Sequence, residues 1–586
     1  MNLEDKTMST QGKALFAALT CLLYVVIQSF AISSVPFPAD DMQELAFVNG
    51  FQSWTQLFGK DVFGLFRPVK NLLFLLLSCF PPNDISGFRL VCICIGILSY
   101  IPVLGLCRRV FDGKWSAFSA AAVWLLAPTI VSSVAWLSCV NIQIMAGIAA
   151  LALCMHDKGQ TLLASTCLFF GCVSYESAVA IGPVIVAYDF FLRPGRLRTL
   201  RAWKAYAVYA VVTATYLLLR WGVGSASSVN GSLAGLSRTD LIGASAYFTL
   251  QHFGIWLWPF GNMAVFGGYA AGQVPAFGHF LCWLLVVAVA VSAFALRNRA
   301  PRVAFGIAMA FLAFLPTSNI LGIGNGPYGD YYLDVTSIGL SILLVAVSAR
   351  LLSVSGRFAR IVGAFGAVLL LVRICAIAES ARWAYLWADG ERAYKSTIAT
   401  FPKAYYGYIV YAQMLCDRDD FAGALSYCDD AERLIGSDEE KMRHINIVRA
   451  ICVMRGEKDA QKALALLDKC ENGCSRASLV RSCHFYRGCV AEDLMNDVSF
   501  AQREYEAAMP AMLGSEDIRT ADRLARLYAI NGKVPAAIEL WRQALRVSPG
   551  DYSVTWNLSI ALRQTGAIDE ANRLQGRIDG GVRCPQ

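Results

Sequence analysis

The sequence predicts an all-α protein in two parts: a polytopic membrane bundle of about eleven spans over residues 1–378, then an α-solenoid of two-helix repeats over residues 379–586. Three observations lead there. The chain has 586 residues, 56% of them hydrophobic, and a mean hydropathy of +0.48, too apolar for a water-soluble protein. Apolar runs of roughly 20 residues, long enough to cross a bilayer, recur through the first part. From about Trp383 the pattern turns to short helices with charged faces and a period near 34 residues.

The spans fall near 14–33, 88–107, 115–132, 141–156, 160–177, 178–192, 203–222, 275–296, 302–321, 332–351 and 358–378. Basic clusters lie between them: Arg108–Arg109; Arg193, Arg196, Arg198, Arg201 and Lys204; Arg297, Arg299 and Arg302; Arg350, Arg357 and Arg360. Lys and Arg are retained on the cytoplasmic side of a membrane. With the amino terminus inside, every cluster falls on that side, while the outer loop 34–87 and the whole repeat part fall outside. The net charge of +8 is therefore spread over span ends, which argues against a nucleic-acid-binding face. The expected location is a multi-pass protein of a bacterial inner (plasma) membrane with periplasmic repeats, or of the endoplasmic reticulum membrane with lumenal repeats in a eukaryote.

Two apolar stretches do not fit as spans. Residues 69–80 are too short, and a crossing at 241–258 would reverse the sidedness of Arg297 to Arg302. Both read as juxtamembrane or re-entrant helices at the outer face, allowed only where protein or a wet cavity covers their backbone. The first span reads as an uncleaved anchor and not as a signal peptide, because the acidic pair and a second membrane element follow too closely for cleavage there.

The repeats are legible in their small residues. Ala424, Ala463, Ala501, Ala537 and Ala571 recur at intervals that settle from 39 towards 34, and turn glycines Gly532 and Gly566 are 34 apart. This is the spacing of tetratricopeptide-like arrays, with four to five units. Such arrays hold extended segments of other proteins in a groove; a stiff spacer or a dimerisation surface is the alternative. If this part is outside, some of its cysteines form disulfides, with Cys470 and Cys474 the first candidates, although buried thiols in helix packing fit equally. A zinc site is disfavoured, since His484 stands alone and no paired CxxC exists.

Polar residues gather at the outer ends of the spans: Asp40, Asp41, Glu44, Asp61, Arg67 and Lys70 in the first loop, Glu176 at the end of the fifth span, and Asp330, Tyr331 and Tyr332 before the tenth. For Glu44 and Asp61 a solvated loop charge is the better reading. For the adjacent carboxylates Asp40–Asp41 it is weaker, because their repulsion raises one pKa and suits a general base. Glu176 lies between two apolar runs with no basic neighbour in sequence, which favours a working or helix-pairing role. No HExxH, GxSxG, Walker loop or GxGxxG in the right surroundings is present, so hydrolase, protease and nucleotide-driven readings lack support.

These pieces together resemble the GT-C type membrane glycosyltransferases, most of all the transmembrane and tetratricopeptide-repeat O-mannosyltransferases. That family has an acidic pair in the first outer loop, as in Asp40–Asp41, and an Arg-Pro step opening a juxtamembrane helix, as in Phe66-Arg67-Pro68-Val69. Its proline and outward Trp at a span end are echoed by Ala127-Pro128 and Val134-Ala135-Trp136. Its acidic residue after an apolar run is matched by Tyr175-Glu176-Ser177, where the family usually has Lys first. Its late Glu-Arg-Tyr-Leu-Tyr segment reads Asp330-Tyr331-Tyr332-Leu333-Asp334 here, with Tyr331 in place of an arginine.

The resemblance implies an inverting glycosyltransferase that moves a sugar from a polyprenyl-phosphate donor to a protein or glycan acceptor on the outer face, the repeats presenting the acceptor. It assigns catalysis to Asp40 and Asp41, with Asp40 as the base, and donor or acceptor binding to Arg67, Lys70, Glu176, Asp330, Tyr331 and Tyr332. Arg67, Lys70 or Arg220 would hold the lipid phosphate. A divalent metal has room beside Asp40–Asp41, but no ligand cluster demands one. The partners are the lipid-linked donor, membrane lipid and a protein or peptide acceptor, with no nucleic acid. The rival class is a non-catalytic membrane scaffold whose repeats recruit proteins; a transporter is disfavoured by the few charges inside spans.

Overall fold

The computed structural model describes residues 9–32, 41–48, 51, 53–62, 64–77, 85–112, 115–224, 238–261, 274–320, 329–354, 359–436, 438–474, 477–510, 517–547 and 551–579. Asp40 and Arg357 lie outside the described residues. Every regular element among the described residues is helical.

Among the described residues seven helices are long and apolar enough to cross a membrane, or eight if a bent pair, Trp115–Leu125 with Pro128–Ala135 at 51°, is one span. The difference from about eleven has a local cause. The stretches expected to span at 160–177, 178–192 and 302–321 fold as shorter helices, Thr161–Ser174, Ile181–Leu192 and Pro301–Phe314. At about 1.5 Å per residue, 12 to 14 residues reach roughly 20 Å, short of a bilayer core. The break between the first two falls at Tyr175, whose backbone is extended, followed by a 3₁₀ turn over Glu176–Ala180. The short stretch after Arg67 forms the helix Pro68–Leu77, with proline at the first helical position, where its missing N–H leaves nothing unpaired. Residues 241–258 fall in the helix Arg238–Leu257.

Small residues bring the central helices together. Pro301–Phe314 packs along Asp334–Leu352, and a Cβ added at Gly339 would sit 2.6 Å from the Ala310 nitrogen. That backbone approach is the packing expected where both helices are apolar all round. The peripheral helix Ala276–Leu296 instead exposes Phe277, Phe280, Leu284 and Leu285, an apolar stripe larger than soluble monomers usually leave open.

The helix Ile85–Val110 shows how charge is distributed along the bundle. Arg89, near its start, donates to the Ala135 carbonyl beside the first-loop residue Asp41. Arg109, near its end, meets Asp157, which also takes Arg193 and Arg196. The basic span ends therefore collect at one end of the bundle and the first loop at the other.

The last bundle helix, Ala359–Trp387, runs unbroken through residue 378. Its Trp383 and Trp387 are buried in one core with Val131 and Ala135 of the bundle and Ala393, Ile409 and Ala412 of the repeats. Beyond it the described residues form five helical hairpins: Tyr405–Asp417 with Phe421–Ile435, Glu439–Cys452 with Ala460–Glu471, Ala477–Val490 with Val498–Ala508, Ile518–Ile530 with Val534–Val547, and Tyr552–Gln564 with Ile568–Asp579. Ala424, Ala463, Ala501, Ala537 and Ala571 are all fully buried in the second helix of their hairpins.

Each hairpin turn places a left-handed residue five positions before that alanine: Asp419, Lys458, Asn496, Gly532 and Gly566. Only the last two are glycines, so only those two turns carried the expected residue. The second and third hairpins also end their first helix in a π turn, over Val453–Glu457 and Ala491–Met495, which lengthens those units.

Candidate functional site

Three interrupted helices meet at the end of the bundle that carries the first loop. Trp136 is extended between Ser132–Ala135 and a 3₁₀ turn over Leu137–Cys139, Tyr175 is extended before Glu176–Ala180, and a 3₁₀ turn over Asp330–Leu333 precedes Asp334–Leu352. Each interruption frees backbone groups that must find partners once buried. Polar side chains supply them. Asp41, fully buried, accepts from the backbone N–H of Leu137 (3.3 Å) and Ser138 (3.0 Å) and from the Ser138 hydroxyl (3.1 Å). The Asp330 carboxylate accepts from the Tyr331 N–H at 2.9 Å, and Ser133 donates to Asp334 at 2.6 Å. His252 accepts from the Gly329 N–H at 3.3 Å through Nε2, which makes Nδ1 the donor to the Phe248 carbonyl at 2.7 Å. Burial lowers the His252 pKa to about 4, so it stays neutral in that role.

A buried ion network lies beside these turns. Arg67 donates from Nε to Glu176 Oε2 at 2.9 Å and from Nη2 to Oε1 at 2.7 Å, a two-pronged pair, and stands 3.8 Å from Asp61. Lys70 bonds Glu44 and lies 3.6 Å from Asp61. Arg220, at the end of Leu200–Gly222, approaches Glu176 to 3.9 Å. Three cations thus face three carboxylates. Burial alone would lower the Arg67 guanidinium, but Glu176 outweighs it and holds the pKa well above the ordinary value. Burial also opposes a charged Lys70, and the carboxylates of Glu44 and Asp61 overcome that and raise its pKa. With two carboxylates on one ammonium, burial pushes Glu44 up to about 7 against the pull of Lys70.

An aromatic edge completes the locus. The Arg67 guanidinium lies 4.5 Å from the Tyr175 ring centre. Tyr331 packs edge-on to Trp136 at 5.5 Å and against Tyr332 at 4.5 Å, and Trp136 stacks on Trp387 at 6.0 Å. Trp136 and Tyr331 are half-buried and Tyr332 is buried.

The residues singled out in the sequence thus converge: Asp41, Arg67, Lys70, Glu176, Asp330, Tyr331 and Tyr332 sit at one end of the bundle. Two expectations change. Glu44 and Asp61 are buried members of the ion network, not solvated loop charges. A signal was present, since Asp41 with Glu44 and Arg67 with Lys70 are each three residues apart and share a face. Arg67 and Lys70, expected to meet a donor phosphate, are engaged by Glu176, Glu44 and Asp61. His252, Arg89 and Arg373 escaped the sequence reading; Arg373 donates to the Trp256 carbonyl at 2.7 Å. Arg89 and Arg373 were visible only as single charges in apolar stretches, and His252 only as part of a short polar interruption with Gln251. Among the described residues no group of three or more His, Cys, Asp or Glu side chains is placed to hold a metal ion.

No family model matches the chain, and no curated protein matches it either. Among solved structures, it is similar to an Archaeoglobus fulgidus oligosaccharyltransferase tethered to an acceptor peptide, at 14% identity and a TM-score of 0.34, over 71% of this chain and 59% of that one. It is also similar to YrrB, a TPR protein with an unusual peptide-binding site, at 16% identity and a TM-score of 0.23, over 32% of this chain and 91% of that one. A third is yeast Tom70, at 12% identity and a TM-score of 0.29, over 82% and 91%.

Proposed function

We propose that the chain is a membrane glycosyltransferase that moves a sugar from a polyprenyl-phosphate donor to a protein acceptor, with the repeats presenting the acceptor. The observation that carries this reading is the convergence of acidic, basic and aromatic side chains from segments 41–44, 61–70, 136–138, 175–176 and 330–332 at one end of a bundle of apolar helices. Charges buried at such a place are costly and mark working sites more often than braces.

In this reading Asp41 holds the turn at residues 137–138, and its sequence neighbour Asp40 is the general base. The base takes the acceptor hydroxyl proton as the hydroxyl oxygen attacks the anomeric carbon. The bond from that carbon to the lipid phosphate breaks with inversion, and its electron pair leaves on the phosphate oxygen. Arg220, at the rim of the ion network, steadies that leaving group, while the half-buried Trp136 and Tyr331 form the aromatic edge beside the sugar. Repeats whose core is continuous with the bundle through Trp383 and Trp387 would keep a bound protein segment close to this edge.

A second reading, a non-catalytic scaffold, is favoured by one observation: Arg67 and Lys70 are matched by carboxylates of the same chain. Intact-mass comparison of outer-surface proteins from cells with and without this protein tests the choice. A sugar-sized mass difference on some of them supports transfer, and identical masses with altered partner recruitment leave the scaffold.

A further inference from the structure

At the end of the bundle opposite the ion network lies an open cleft of about 400 Å³, lined by the ends of Ile85–Val110, Ile181–Leu192, Pro301–Phe314 and Asp334–Leu352. Its size is in the range of small-molecule sites, ~300–1,000 Å³. Four arginines line it, Arg193, Arg299, Arg302 and Arg350, against one acid, Asp112. Arg302 takes that acid at 2.7 Å and the Val110 carbonyl at 2.9 Å. Arg350 donates to the carbonyl of Arg299 at 3.0 Å, which draws the two residues together at one wall. Arg193 leans 3.4 Å from Asp157, a carboxylate that Arg109 and Arg196 already share.

Among the described residues the positive charge lining this pocket therefore exceeds the acidic charge that meets it. It is gathered in a concave pocket, not spread along a surface. The rest of the wall is mixed, with Phe191 and Val303 beside the hydroxyls of Ser116 and Ser353, and the helix beside the mouth ends at exposed Leu352, with exposed Val354 just after it. Guanidinium groups bind phosphate with paired, charge-assisted hydrogen bonds. Basic pockets between helices at the positively charged side of a bundle suit the headgroups of anionic lipids.

We infer that this arginine-lined cleft binds a phosphate group, carried by an anionic membrane lipid or free in solution. The site is separate from the ion network and does not depend on the proposed transferase activity.

The test uses the full chain in lipid nanodiscs made with phosphatidylcholine alone or with added phosphatidylglycerol, followed by mass spectrometry of retained lipid, and a parallel titration with inorganic phosphate. The wild type should retain phosphatidylglycerol over phosphatidylcholine, or be stabilised by phosphate, and which of the two occurs names the carrier. Arg299→Gln with Arg350→Gln should weaken that binding by about 10-fold or more, since charge-assisted bonds are lost. Arg198→Gln, at the same end but outside the cleft, should change it less than about 2-fold. Should the double glutamine variant fail to fold, Arg299→Lys with Arg350→Lys and a salt series on the wild type take its place, with binding retained in the first and weakened by salt in the second. Equal binding by wild type and the glutamine variant, no preference for phosphatidylglycerol together with no response to phosphate, or binding indifferent to salt would overturn the assignment.

Discussion

The guanidinium of Arg67 meets the carboxylate of Glu176 through two hydrogen bonds, 2.9 and 2.7 Å long, across 109 residues of sequence. Both groups are buried, so each depends on the other. Glu176→Gln should destabilise the bundle by about 3 kcal/mol, because it removes the charged partner of a two-pronged pair and leaves the buried guanidinium only the more distant Asp61. Replacing both, Arg67→Met with Glu176→Leu, should cost less than Glu176→Gln alone. Thermal unfolding in detergent, read as a double-mutant cycle, measures this, and simple additivity would disprove the coupling.

Asp40 and Asp41 should separate by phenotype. Asp41→Ala removes three accepted hydrogen bonds from a buried turn and should lower stability by about 2–3 kcal/mol, with activity falling alongside. Asp40→Asn should abolish sugar transfer at unchanged melting temperature and membrane abundance. Transfer by Asp40→Asn at the wild-type rate would remove the base assignment.

Stability should fall as pH rises towards and through 7. The folded protein holds a proton on Glu44 up to about pH 7, whereas the unfolded chain releases it near the ordinary glutamate value of 4.5. Between those values the folded state binds more protons, so raising the pH favours unfolding. Glu44→Gln should flatten this part of a melting profile taken from pH 5 to about 8. A slope unchanged by the substitution would assign the pH response elsewhere.

In the repeats, the sulfur of Cys416 lies 2.8 Å from that of Cys452, and Cys470 is equally close to Cys483. If the repeats occupy an oxidising compartment, both pairs should be found as disulfides in protein taken directly from the membrane. Peptide mapping without reduction checks this. A Cys470–Cys474 crosslink would contradict the geometry, and four free thiols would place the repeats on the reducing side.

Cutting the chain within the last bundle helix should matter more than losing the repeats. Removal of residues 383–586 strips Trp383 and Trp387 from the core they share with Val131 and Ala135, and removes the ring stacked on Trp136. Burial of one such aromatic contributes about 3 kcal/mol or more, so this truncation should be unstable. Removal of 405–586 keeps both tryptophans and should leave a folded bundle that modifies a small soluble acceptor but not proteins. Equal stability of the two truncations would show that the shared core is dispensable.

Much of the outline was legible in the sequence because it rests on periodicity and composition. Apolar runs, basic span ends and the recurring alanines each report a local requirement: hydrocarbon length, charge retention, close helix approach. The same reasoning reaches the turns at Gly532 and Gly566, where glycine is the ordinary left-handed residue. It does not reach Asp419, Lys458 and Asn496, which hold the same left-handed geometry in the first three hairpins without being glycine. The number of long helices also escaped it, since the interruptions at Trp136 and Tyr175 are stabilised by side chains such as Asp41 and Asn141 from distant segments. Which charges are buried was decided only in three dimensions. Glu44 and Asp61 look like solvated loop residues until Lys70 and Arg67 are folded onto them, because a charge's environment is set by what packs against it and not by its neighbours in the chain.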